Sequence, residues 1–489
     1  MAKHVGVIDI GSNSIRIAIY EKTSRFAFHL LYETKSKVRI SEDAYKNGGY
    51  LQDIPMQRAF DALSDFIDIT KSFKVRKILC VATSALRDAP NKQKFIQKVR
   101  KDLKLNIKVI DGDKEAYFGA IACANLLPKQ DKSLSIDIGG GSTEFALIKD
   151  NNVLKTISLP LGTVRLKELF FDKNQIDEAI KYIDTQLDSF LNNIDADTLI
   201  GIGGTFRAIS NAIIKSSKYP FAKLHAYECD KNYFNDYISQ ILKSDNDKLK
   251  TLGIKPERFD IIKPGALILQ RVLIKVDVKK LQTSGVGVRE GVYLKDLLRG
   301  SKDKFPNNYN TSLRYLLDSH IDDTTFSNQV SSLSKKIFDL TSNELNIDKN
   351  YRYELSIASK LYGVGNNIHF FSNHKHSYYL IQSALEYGFS HSQILLISTL
   401  AKYAKGKYPS NTHLEKYEML LPDTEILNKL IYILSVSITL LSNRPKNIEF
   451  DLDFKDNHLY IKSKKRLYLV EGLVKKVVNK NYFSINIEN

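Results

Sequence analysis

Three cysteines in 489 residues, Cys80, Cys123 and Cys229, are too few and too scattered for a disulfide framework or a zinc site, which fits a reducing compartment. Long apolar runs are missing as well. The longest candidate, Leu430–Leu441, is interrupted by Ser435, Ser437 and Thr439 and falls short of the ~18–20 residues of a membrane span. The chain starts Met-Ala-Lys-His and enters a strand pattern at once, so no signal peptide and no membrane partner are expected, and the protein is expected to be cytoplasmic. Acidic residues are in deficit: 55 Asp and Glu stand against 72 Lys and Arg, a net charge of +17. No separate basic tail holds that excess; its densest patch is Lys462, Lys464, Lys465, Arg466, Lys475, Lys476 and Lys480. Such a balance suits a polyanionic partner (nucleic acid, a phosphate-rich molecule or an acidic surface) or simply a lysine-rich composition. With 43% hydrophobic and 26% charged residues, wholesale disorder is excluded, and the length allows two to four domains.

What is present is an alternation of strand and helix patterns over the first 300 residues, the signature of α/β architecture. Strands are expected at Val5–Ile10, Ile15–Tyr20, Phe26–Glu33, Lys77–Ala82 and Ile107–Ile110, and helices at Ala59–Lys71 and Lys114–Leu127. The opening pattern then recurs: Asp9-Ile10-Gly11-Ser12-Asn13-Ser14 has its counterpart in Asp137-Ile138-Gly139-Gly140-Gly141-Ser142. Each copy is strand, acidic-glycine turn, strand, which predicts a duplicated domain with two related halves facing each other. Past residue 301 helical periodicity takes over, as in Asn328–Ser342, Tyr353–Leu361, Ser392–Lys405 and Thr424–Ser442. The polar stretch Lys302–Asn310, with Pro306, is the expected linker. After Arg444-Pro445 strands return at Asn447–Phe454 and His458–Ile461.

The two turns carry the chemistry. A tight turn between strands leaves backbone N–H groups pointing outward, glycine lets a phosphate approach, and hydroxyls add donors. Gly11, Ser12 and Asn13, and Gly139, Gly140, Gly141, Ser142 and Thr143, meet that description. Asp9 and Asp137 cannot hold phosphate themselves; they either bind a divalent cation or cap the turns. A third turn, Gly203-Gly204-Thr205, precedes a helix that Thr205 is expected to cap.

These strings, from Asp9 to Arg16 and from Asp137 to Glu144, resemble the two phosphate loops of the exopolyphosphatase/guanosine pentaphosphate phosphohydrolase family, of the actin-like ATPase superfamily. The strings Ala82–Arg87, Asp111–Ala116, Leu159–Leu166, Pro256–Arg258 with Pro264–Leu267, and Val288–Gly291 follow in the family's order. The resemblance implies two actin-like, ribonuclease-H-like lobes with a catalytic cleft between them, at about 1–122 and 123–300, the last helix returning to the first lobe. It implies an acid-anhydride hydrolase that releases terminal orthophosphate from polyphosphate or from pppGpp, with Mg²⁺ or Mn²⁺ near Asp9, Asp137 and Glu144. By position Glu115 matches the general base, and Arg16 and Arg87 match arginines that reach phosphate oxygens. Glu115 is expected in the first turn of its helix, behind an Asp113 cap and beside Lys114. There the macrodipole lowers its pKa, so burial in the cleft has to compensate. An actin-like kinase using ATP, its adenosine served by the third turn, and a non-catalytic (p)ppGpp sensor are the alternatives.

Residues 301–445 resemble the family's longer members, whose third domain is similar to the His-Asp phosphohydrolases. Here Tyr362 stands where the metal-ligand histidine would be, and His369, His374 and His376 lack an acidic partner at suitable spacing. An all-α, degenerate domain of this kind suits binding or dimerisation, and a homodimer with no nucleic-acid partner is expected. A small α+β module, 446–489, closes the chain.

Overall fold

The computed structural model describes residues 3–191, 194–477 and 482–488. It divides into two units, residues 1–309 and 310–489.

The first unit is built on two sheets of one plan. β1 (Lys3–Ile10), β2 (Ile15–Lys22) and β3 (Phe28–Ser36) form an antiparallel meander, and β4 (Lys77–Ala82) and β5 (Lys108–Val109) extend it from β1 in parallel. The order is β3-β2-β1-β4-β5. β6 (Lys132–Ile138), β7 (Thr143–Lys149) and β8 (Asn152–Leu159) repeat the meander. β9 (Thr198–Ile202) continues from β6 in parallel, and the edge pair β10 (Tyr227–Asp230) and β11 (Lys280–Thr283) completes the order β10-β11-β9-β6-β7-β8. Parallel neighbours require crossover helices, and helices on the faces bury the strands. Ile8, Ile10, Ile15 and Ile17 are wholly buried in one core, and Leu134, Ile136, Phe145 and Leu199 in another. Each sheet thus has its own hydrophobic centre. The helix Gly112–Leu126 follows β5 and packs on β7 and β8; the helix Val288–Leu297 packs on it and on β1.

Two local expectations are corrected. The cap of the Gly112–Leu126 helix is Asp111, not Asp113: Asp111 is extended (φ −72°, ψ 165°) and its carboxylate accepts the Lys114 N–H. Lys114 Nζ lies 2.6 Å from Asp111 Oδ2 on the exposed side, so its charge is spent away from Glu115. The helix Gly203–Ser216 starts at Gly203 with Ile202 as its N-cap, so Thr205 lies inside it and does not cap it. The expected linker is also tied down. Asp303 is buried and accepts hydrogen bonds from Tyr117 Oη at 2.9 Å and Lys295 Nζ at 2.5 Å, while Phe26 meets Phe305 and Tyr309 edge-on.

The second unit holds the helices Thr311–His320, Thr324–Thr341, Tyr351–Leu361, Asn373–Ala384, His391–Tyr403, Asn411–Tyr417 and Thr424–Leu440. The last is the apolar segment flagged above; its Leu430, Ile431, Ile433, Leu434 and Val436 are fully buried among the other helices. Among the described residues no helix is long and apolar enough to cross a membrane. A three-stranded sheet follows, with β13 (His458–Ser463) between β12 (Phe450–Lys455) and β14 (Ser484–Glu488). Tyr432 Oη donates to the Phe483 carbonyl at 2.8 Å and joins this module to the long helix. In the basic patch Lys465 pairs with Glu449 and Arg466 with Glu471; Lys480 lies outside the described residues.

Candidate active site

Both acidic-glycine turns have one geometry. In the first, Asp9 faces Arg16 across the ladder and the Gly11 N–H donates to the Ser14 carbonyl at 3.2 Å. In the second, Asp137 faces Glu144 and the Gly139 N–H donates to the Ser142 carbonyl at 2.9 Å. The carbonyls of Gly139 and Gly140 accept the first N–H groups of the helix Thr163–Leu169, and Arg165 Nε donates to the Gly141 carbonyl at 2.8 Å. In a trans peptide the N–H points opposite to the preceding C=O. The amides of Gly140, Gly141 and Ser142 therefore face away from that helix, the arrangement of an anion-binding nest. The two turns also touch. A Cβ on Gly140 would stand 2.8 Å from Ser12 Cβ, and one on Gly141 2.2 Å from Ser84 Oγ and from Tyr45 Oη. Glycine is needed here for close approach.

Between the turns lies a cavity of about 360 Å³. Of the residues named from sequence, Asp9, Gly11, Ser12, Asn13, Arg16, Glu115, Asp137, Gly139, Gly140, Gly141, Ser142 and Glu144 line it. Thr143 and Arg87 do not. Thr143 is fully buried and its hydroxyl donates to the Leu161 carbonyl. Arg87 stands behind the acid: Nη1 donates to Glu115 Oε2 at 2.9 Å and Nη2 to Ser142 Oγ at 3.4 Å.

Glu115 is buried. Burial, and then the Glu144 charge, push its carboxyl well above the usual range, against the opposing pull of Arg87. The same two causes act on the other acids. Burial and the Asp9 charge raise Asp137 to about 6, and burial and the Asp137 charge raise Glu144 to about 7. Asp9 is raised by burial, while Arg289 and Arg16 work in the other direction. Ser158 Oγ donates to Glu144 Oε1 at 2.8 Å and fixes that side chain.

Several lining groups were not assigned a role from sequence. Lys35 sits beside Arg16 in the β2–β3 ladder, and Arg258 ends the turn Pro256–Arg258. Burial lowers the pKa of Lys35, and Arg16 and Arg258 lower it further, so these cations crowd one wall. Arg207, whose charge lowers the Asp137 pKa, donates to the carbonyls of Ser284 and Val286. Glu290 accepts from Tyr20 Oη at 2.5 Å and from the Gly287 N–H at 2.7 Å. Arg258, Arg289 and Glu290 lie in strings that matched the family's order, which was a usable signal. Nothing in the pattern of β3 separates Lys35 from a solvent-facing lysine. The third turn, Gly203 to Thr205, lines the same cavity.

Among the described residues no group of three or more His, Cys, Asp and Glu side chains is placed to hold a metal by itself. Magnesium seldom needs such a cage; it keeps water and shares one or two carboxylates with substrate phosphates. Asp9, Asp137 and Glu144, each raised by burial and by a neighbouring acid, fit a shared ion of that kind.

Comparison with known proteins agrees with this geometry. The Ppx/GppA phosphatase family matches residues 18–300, and domain III of the Ppx/GppA phosphatases matches residues 310–479. A bifunctional 3-dehydroquinate synthase/phosphatase of Fusobacterium nucleatum is 33% identical over 283 residues, and the match covers 54% of this chain but only 42% of that longer protein. A guanosine-5′-triphosphate,3′-diphosphate pyrophosphatase of Pseudoalteromonas atlantica is 25% identical over 96% of this chain and 91% of its own. Among solved structures, an exopolyphosphatase from Cytophaga hutchinsonii is 27% identical with a TM-score of 0.57, covering 62% of this chain and 100% of that one.

Proposed function

The chain belongs to the Ppx/GppA phosphatase family, and we propose that it releases terminal orthophosphate from polyphosphate or from the 5′ end of guanosine pentaphosphate, using water deprotonated by Glu115. The observation that carries this is the position of Glu115, a buried acid with a raised pKa lining the same cavity as both glycine turns. The terminal phosphate sits among the turn amides, the Ser12 and Ser142 hydroxyls and Arg16. Glu115 takes a proton from water as its oxygen attacks phosphorus, and the anhydride P–O bond breaks toward the shortened chain. The protein contributes position and charge stabilisation. Asp137 and Glu144, with Asp9, are the residues to hold a magnesium or manganese ion, which when bound would offset phosphate charge. A phosphate-release assay on long-chain polyphosphate, pppGpp and ATP tests the reading: release from either of the first two supports it, ATP-dependent phosphorylation of an acceptor points to a kinase, and tight binding without release points to a sensor.

Three outcomes are expected. Activity collapses in chelator, and Asp137→Ala or Glu144→Ala moves the magnesium response to higher concentration; full activity in chelator would leave these acids with turn structure alone. The base works ionised, so the rate rises with pH through a limb above the ordinary ~4.3 of glutamate. Arg87→Ala removes the cation that opposes the rise, so the limb moves up by ~1–3 units, with activity recovered at alkaline pH; an unmoved limb would sever Arg87 from Glu115. The Cytophaga structure, complete at 62% of this length, indicates that a shorter chain can stand alone. A chain ended after Tyr309 is therefore expected to release phosphate from pppGpp and short polyphosphate. On long chains its KM rises and depends less on salt, because lysines beyond the cleft no longer release counterions. An equal KM and salt slope would remove the second unit from substrate binding.

A further inference from the structure

The second unit contains a cavity of about 700 Å³, within the ~300–1,000 Å³ of small-molecule sites. Four cations line it: Lys360, Lys405, Arg444 and Lys476. Among the described residues none of the four forms an ion pair with an acid. The cavity's acids are Asp322 and Asp323, and Asp323 is committed to the N–H groups of Thr325 and Phe326 as a helix cap. The field around it is positive: burial lowers the pKa of His374, and Lys405, Lys375, Lys407 and Lys402 lower it further.

Flat apolar surface accompanies the charge. The Arg444 guanidinium lies 4.1 Å over the Phe326 ring, and Lys405 Nζ is 6.0 Å from the ring of Phe370, which is 68% exposed. Tyr362 forms part of the wall; burial raises its hydroxyl to about 12, so it stays protonated and offers no anionic metal ligand. Asn373 Nδ2 donates to Asn366 Oδ1 at 2.5 Å and Asn367 Nδ2 to the His320 carbonyl at 3.4 Å, which leaves the Asn366 amide to donate and the Asn367 and Asn373 oxygens to accept. Asn373 Oδ1 and Ser435 Oγ, both on residues more than nine-tenths buried, line the cavity without a hydrogen-bond partner.

We propose that this cavity is a second ligand site, separate from the cleft, that takes a nucleoside di- or triphosphate: the rings hold the base, the amides meet its edge and the four cations hold the phosphates. The inference does not depend on the activity proposed for the cleft.

The test uses the full chain carrying Arg16→Glu, which makes the cleft repel anions, titrated with fluorescent methylanthraniloyl-GDP. Saturable binding is expected to remain. Adding Lys405→Glu and Arg444→Glu should weaken it by ~10–100-fold, the scale of lost charge-assisted contacts, whereas Lys405→Arg should stay close to the parent. Phe370→Ser, at an exposed position, should weaken the nucleotide while leaving competition by tripolyphosphate unchanged. Absence of saturable binding, or unchanged binding in the charge-reversed variant with a native circular dichroism spectrum, overturns the proposal. Tripolyphosphate displacing the probe as well as GDP does, with Phe370→Ser affecting neither, overturns the nucleotide assignment in favour of an inorganic anion.

Discussion

Glu115→Gln is expected to lower turnover by ~10²–10⁴-fold, the scale of general-base removal, while KM stays within about threefold. The substitution is nearly isosteric. Its amide oxygen can still accept the Arg87 hydrogen bond that Glu115 Oε2 receives at 2.9 Å, so the position of Arg87 and its link to Ser142 need not change. What disappears is the oxygen that can take a proton. Glu144 keeps the burial and the Asp137 charge that raise it. Single-turnover phosphate release separates this from a binding defect. Near-normal release would move the base elsewhere, first to Glu144, the acid whose charge acts most on Glu115.

Glu290→Ala is expected to destabilise the first unit by about 3–5 kcal/mol, the usual cost of removing one partner from a buried charged group. Glu290 is buried and holds Tyr20 Oη and the Gly287 N–H. Tyr20 also stacks on Tyr293 at 4.5 Å, so its place in the core depends on that acceptor. Burial alone would raise the Glu290 carboxyl, but Arg289, Tyr20 and Arg207 together hold it below its ordinary value. A depressed folded pKa gives stability that is full above the unfolded value and is lost as pH falls through the folded one. The gap between parent and variant should therefore narrow in acid, below about pH 4. Urea melts followed by circular dichroism check this, since the chain has no tryptophan to report by fluorescence. A cost under about 1 kcal/mol would mean that water reaches and satisfies these groups.

The architecture was legible where one local rule sufficed. Ile-Asp-Ile-Gly, read twice, gives two hairpins because a buried strand, an acid and a glycine leave little choice of turn, and the observed ladders place Asp9 against Arg16 and Asp137 against Glu144. Competing local signals were harder. Asp111 and Asp113 both suit a cap, and backbone angles decide between them. Pro264-Gly265 looks like a break, yet both lie inside the helix Phe259–Lys275. Long-range partners were illegible. Nothing near Asp303 in sequence announces Tyr117, and nothing near Lys35 announces Arg258. Arg87 was matched by position to phosphate, and nothing near it in sequence announces its bond to Glu115. The strand at Ser484–Glu488 escapes because its partner is parallel and distant in sequence.

The shared register of the two hairpins has an electrical consequence. Opposite the first aspartate stands an arginine and opposite the second a glutamate, so with all four ionised one copy is neutral and the other carries two negative charges. Lys35 and Arg258 add to the arginine side. The duplicated hairpins are therefore alike in backbone and unlike in charge. An anion is therefore drawn more to the first hairpin and a cation more to the second.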